Sequence, residues 1–99
     1  MAKVTPFDAA KYLDNPETIA AYLTEAFESG DTTFIAAAIG DVAKAKGMAK
    51  VALETGLGRE SLYKSLSGEV SPNFETVQKV LGAFGMKMVV KPDDDVKAA

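Results

Sequence analysis

The chain has 99 residues, 47% of them apolar and 25% charged, the balance of one ordinary domain with a small core. It holds no cysteine and no histidine. Disulfides and thiolate metal sites are therefore excluded, and the commonest general base is missing, so a non-enzyme without metal or cofactor is expected. The formal net charge is −3, which speaks against a nucleic-acid partner unless the charge is unevenly spread.

The predicted elements are short and helical. Asp8 to Leu13 reads as an amphipathic turn or two, with Phe7, Ala10 and Leu13 on one side. Asn15 is a good N-cap, Pro16 suits the first helical position and Glu17 the first turn. Ile19, Tyr22, Leu23, Ala26 and Phe27 then recur at helical spacing until Ser29–Gly30. Asp31 caps a second helix whose inward set is Phe34, Ile35, Ala38, Ile39 and Val42. Lys44 and Lys46 sit in its last turn, where they complement the helix dipole, and Gly47 stops it.

The stretch Met48–Gly68, MAKVALETGLGRESLYKSLSG, carries the most information. Two short helical patterns, 48–55 and 59–67, flank a turn at Gly56 and Leu57. This is the layout of a helix-turn-helix, in which the second helix enters the DNA major groove. Val51, Ala52, Leu57 and Leu62 are placed to share one core. After the loop Gly68–Pro72, Asn73 caps a fifth helix over 73–84, with Phe74, Val77, Val80, Leu81 and Phe84 inward and Gly85 as its end. Residues 86–90 read as a strand, with imperfect alternation because Val89 and Val90 are adjacent. A lone strand in a helical domain needs a partner, so Met86, Met88, Val89 and Val90 are expected at a homodimer interface. Residues 1–92 form the expected single domain, with N-terminal helices over 7–46, and 93–99 an acidic flexible tail.

Charge follows the same division. Residues 1–43 set Lys3 and Lys11 against Asp8, Asp14, Glu17, Glu25, Glu28, Asp31 and Asp41. Residues 44–64 set Lys44, Lys46, Lys50, Arg59 and Lys64 against Glu54 and Glu60. The basic segment thus coincides with the reading unit, as phosphate attraction requires. The acidic half suits a basic protein partner, or is simply a solvated surface. Phe34–Ile39, the richest apolar run, is far short of the ~20 residues that span a bilayer, and Met1–Phe7 is no signal peptide; a cytoplasmic location is expected.

Candidate DNA contacts are Lys50, Arg59, Glu60, Ser61, Tyr63 and Lys64. Arg59 can meet a guanine edge bidentately or grip a phosphate. Lys64 suits a phosphate, Ser61 either a base or a phosphate, and Lys50 a phosphate beside the start of its helix. Tyr63 either contacts a thymine methyl or the backbone, or packs under the N-terminal helices. Glu60 can accept from cytosine but also serves the helix dipole. Phe27, Phe34, Phe74 and Phe84 are expected in the core, Tyr12 and Tyr22 partly buried. The run Asp93–Asp95 is a solvated acidic tail and not a metal cage.

From Phe7 to about Pro92 the chain resembles the addiction-module antidote family, the small HigA-like antitoxins of toxin–antitoxin operons. Three blocks carry the likeness: FDAAKYLDNPETIAAYLTEAFESGD at 7–31, FIAAAIGDVAKAKGMAKVALETGLGRESLYKSLS at 34–67 and NFETVQKVLGAFGMKMVV at 73–90. The resemblance implies an all-α, lambda-repressor-like helix-turn-helix bundle of five to six helices. It also implies a homodimer, autoregulatory binding to double-stranded operator DNA, and neutralisation of a small basic toxin of the RelE/HigB-like mRNA-nuclease type. The family's reading positions fall on Arg59, Glu60, Ser61, Tyr63 and Lys64, and its turn on Gly56 and Leu57. Two departures stand out: Gly58 at the N-cap of the reading helix, where Ser or Thr is commoner, and the loop SGEVSPN in place of a Gly-Asn-Pro-like turn. The rival reading is a protein-interaction module that binds a toxin or effector and never touches DNA.

Overall fold

A computed structural model of the chain describes residues 13–93. Among these the protein is all-α, with five helices and no strand: α1 Pro16–Ser29, α2 Thr32–Lys46, α3 Met48–Thr55, α4 Arg59–Ser65 and α5 Phe74–Ala83. Helix α1 packs on α2, α2 on α3 and α5, and α3 on both α4 and α5. The expected turn at Asp8–Leu13 lies outside the described residues except for Leu13, which is buried. Tyr12, Asp94 and Asp95 also lie outside them.

Local chemistry accounts for the boundaries. The Asn15 side chain accepts from the Thr18 N–H at 2.8 Å, and Asp31 accepts from the Thr33 and Phe34 N–H groups at 3.0 and 3.3 Å. Asn73 accepts from the Thr76 N–H at 2.8 Å. Each cap satisfies backbone donors that a helix start leaves without partners. Gly47 alone joins α2 to α3, ending the first and preceding the second. Helix α4 stops at Ser65, two residues before the expected end. There the Ser67 hydroxyl donates to the Lys64 carbonyl at 2.9 Å and accepts from the Glu69 N–H at 3.1 Å, a local turn that competes with a further helical residue.

The core is built around Ile39, Val42, Val51, Leu62 and Val80, all essentially inaccessible. Ala26, Ala38 and Ala43 complete it from α1 and α2, and Leu57 packs against it from the turn. Three of the four phenylalanines expected inside are exposed: Phe27, Phe34 and Phe74, the last by 62%. Their spacing is helical, but Phe27 lies in the last turn of α1, Phe34 in the first turn of α2, and Phe74 opens α5. Each stripe runs past the edge of the core before it reaches these rings, and alanines occupy the inner positions where the helices approach closely. Phe84 is buried as expected, and Tyr22 is half-buried.

The expected strand over 86–90 is also corrected. Helix α5 ends on Phe84 and a left-handed Gly85; the Met86 N–H donates to the Leu81 carbonyl at 2.9 Å and the Gly85 N–H to the Gly82 carbonyl at 3.0 Å. This double closure takes Met86 as part of a helix cap, with its side chain packed on the core. Lys87–Val90 follow without a ladder, since a strand requires a second strand and the described chain supplies none.

One polar tie crosses the helices. The Tyr22 hydroxyl of α1 donates to the Asp41 carboxylate of α2 at 2.5 Å. Burial first, then the hydrogen bond and charge of Asp41, hold the phenol well above its usual range. The folded state therefore favours the neutral phenol. That contribution is complete below the unfolded value of about 10 and is lost as pH rises beyond it. Tyr22→Phe is expected to lower stability by about 1 kcal/mol at neutral pH and to flatten the alkaline decline, as measured by urea unfolding at pH 7 and pH 11.

Candidate nucleic-acid interface

Helix α4 is seven residues long, too short to hold itself in water. It is held from one side: Leu62 and Leu66, one turn apart, are buried in the core. The turn before it is set by Thr55, whose hydroxyl donates to the Val51 carbonyl at 2.8 Å and accepts from the Leu57 N–H at 3.2 Å. Gly56 follows at φ 77°, a left-handed conformation that a side chain disfavours. Gly58 stands at the N-cap in extended conformation and supplies no side-chain acceptor, so the start of α4 rests on packing and on the Leu62 N–H donating to the Gly58 carbonyl at 2.9 Å.

With Leu62 and Leu66 turned inward, the remaining positions face out. Arg59, Glu60, Ser61 and Lys64 are exposed, and Lys50 is exposed in the first turn of α3. Tyr63 is 44% exposed. Of the N-terminal helices it faces α2. Its ring lines a cleft of about 200 Å³ between α4 and α2, beside Asp41, Lys44 and Ser67. The structure therefore sets Tyr63 in one cleft with Lys44, a member of the basic run 44–64 that the sequence did not single out as a contact residue. The clue was available in the basic run 44–64, but which lysines stand near α4 is a matter of packing. Gly68 closes the same region: a Cβ there would lie 3.3 Å from the Thr33 side chain, so the loop after α4 rests on the start of α2.

Lys44, Lys46, Lys50, Arg59 and Lys64 are all exposed, and none forms an ion pair among the described residues. Glu60 and Lys64, at i and i+4, leave each other unpaired. The ion pair present, Lys79 to Glu75 at 3.3 Å, lies on α5. Cations without internal partners beside a protruding short helix can neutralise phosphates without first breaking a salt bridge. Helix α1 exposes Glu17, Glu25 and Glu28 and contains no basic residue. Among the described residues no group of acidic side chains is arranged to hold a metal, and no helix is long and apolar enough to cross a membrane.

An uncharacterised protein of Haemophilus influenzae is 40% identical over 85 residues, covering 86% of this chain and 88% of that protein. No solved structure matches the chain significantly. A family profile described as "Probable addiction module antidote protein" matches residues 3–92, nearly the whole length and both the acidic and the basic regions. The chain thus belongs to the probable addiction module antidote family.

Proposed function

We propose that this antidote is the antitoxin of a type II toxin–antitoxin system, acting as a dimeric transcriptional repressor on operator DNA and neutralising a RelE/HigB-like toxin by direct binding. The family match supports a toxin partner. The observation that carries the DNA reading is the short helix α4, anchored by Leu62 and Leu66, whose outward positions Arg59, Ser61 and Lys64 are exposed and free of ion pairs. A helix so presented fits a major groove in the manner of a lambda-repressor-like reading helix. Lys50 and Lys44 add phosphate contacts on either side, and Tyr63 meets the backbone from the cleft. The protein is non-catalytic and cytoplasmic in this reading.

One subunit brings few cations and the whole chain is acidic, so a single copy binds weakly. Two copies related by a two-fold axis read an inverted repeat whose half-sites are centred about 34–36 Å apart. The test is titration of a duplex spanning the region upstream of the chain's own reading frame, at two salt concentrations. Binding should weaken steeply with salt, and Arg59→Ala should cost about 1–3 kcal/mol of affinity with the melting curve unchanged. Unaltered binding by the variant removes Arg59 from the interface. Absence of salt-dependent binding favours the second reading, a toxin-binding module alone, for which the exposed acids of α1 and the net charge of −3 speak. A small basic protein encoded beside the gene is the expected toxin.

A further inference from the structure

The cleft between α2 and α4 contains one charge that opposes phosphate. Asp41 lines it, half-buried, together with Lys44, Tyr63 and Ser67. An ionised carboxylate has about four acceptor sites. Among the described residues Asp41 meets a single donor, the Tyr22 hydroxyl of α1 at 2.5 Å. Lys44 follows three residues later on the same helix, a spacing at which opposite charges ordinarily interact. Among the described residues the two nevertheless form no ion pair.

The Tyr22 bond accounts for that. Without it, a half-buried carboxylate would be left with no donor, and it would take one from the cleft. The Ser67 hydroxyl is already committed to the Lys64 carbonyl at 2.9 Å. The Tyr63 hydroxyl and the Lys44 ammonium are uncommitted among the described residues. The ammonium has the stronger claim, because a bond between two ionised groups is about twice as strong as a neutral one. Burial and the bond itself keep the Tyr22 phenol protonated, so the donor is always present. We propose that Tyr22 is a positioning residue for the nucleic-acid face: its hydroxyl holds Asp41 and so leaves Lys44 free to meet a phosphate. This rests on the DNA reading above and extends the site to α1, a helix that contains no cation of its own.

The test titrates the upstream duplex with the full chain over a series of salt concentrations. Tyr22→Phe should lose about one phosphate contact per subunit, which lowers the salt slope by about 0.9 and the affinity about fivefold to tenfold near about 0.1 M salt. Adding Asp41→Asn to Tyr22→Phe removes the charge that captures Lys44, and should restore both slope and affinity. A fold merely loosened by the loss of the phenol hydroxyl would not be mended by that second change. Urea unfolding supplies a readout without DNA: Lys44→Gln should lower the midpoint further in Tyr22→Phe than in the wild type, because only there is Lys44 paired. Unchanged binding by Tyr22→Phe, a loss that Asp41→Asn does not repair, or equal midpoint shifts in the two backgrounds overturns the proposal. If the wild type binds no duplex, the DNA reading falls, and the midpoint shifts alone decide whether Tyr22 keeps Asp41 from Lys44.

Discussion

Leu62→Ala is expected to destabilise the protein by about 2–5 kcal/mol and to lower its melting temperature by about 10 °C or more. Leu62 is wholly buried and is the point at which α4 enters the core shared with Val51, Val80 and Ile39. Truncation removes apolar contact and leaves a void that the rigid meeting of α2, α3 and α5 can close only in part. The consequence is uneven. Helix α4 has seven residues, no side-chain cap at Gly58, and only Leu62 buried along its length, with Leu66 buried just past its end. It should loosen before the rest of the fold does. Amide hydrogen exchange is expected to rise first across 59–66, at temperatures where α2 and α5 still hold. Under the function proposed above, DNA affinity should then fall although none of the exposed residues of α4 has been touched. Ser61→Ala, one position earlier and exposed, should leave the melting curve in place. A shift of only a few degrees for Leu62→Ala, or uniform exchange across the chain, would show that α4 is not held in this way.

The contrast between those two neighbouring residues marks what the sequence makes legible. Helix starts were readable because their signals are local: Asn15, Asp31 and Asn73 each bond a backbone N–H two or three residues on, with no contribution from the rest of the fold. The turn at Gly56 and the inward Leu62 were readable for the same reason, and with them the outward set Arg59, Ser61 and Lys64. Tertiary matters were not. Whether Phe34 at the start of α2 is covered depends on how far its neighbours extend, and periodicity carries no such information. Met86 has the composition of a strand residue, yet the cap of α5 claims it through the Leu81 carbonyl. Lys44 reads as an ordinary last-turn lysine until the packing of α2 against α4 places it beside Tyr63. The feature that permits that packing, Gly40, has no local signature at all: it sits inside an apolar helix where alanine would be the better helix former.

Gly40→Ala should accordingly destabilise the protein, by about 1–3 kcal/mol, against the sign that helix propensity alone requires. Replacing a mid-helix glycine by alanine ordinarily gains about 1 kcal/mol. At position 40, however, the added Cβ would lie 2.5 Å from the Leu66 carbonyl oxygen and 3.4 Å from its Cβ. The obstructing atom is backbone and cannot swing aside as a side chain would. Either α2 and the end of α4 move apart, opening the cleft that holds Tyr63 and Lys44, or the last turn of α4 unwinds. Both displace α4 from its seat, so the operator affinity proposed above should drop together with stability. Gly82→Ala provides the control within the same protein. Gly82 lies in α5 with nothing within 4 Å of an added Cβ, so the same chemical change should stabilise by about 1 kcal/mol and leave DNA binding as it was. Urea unfolding and operator titration of the pair separate the effects, because only the close approach of α2 to Leu66 can give two identical substitutions opposite signs. If both variants stabilise, α2 does not approach Leu66 at Gly40, and the cleft that brings Lys44 to α4 does not exist as described.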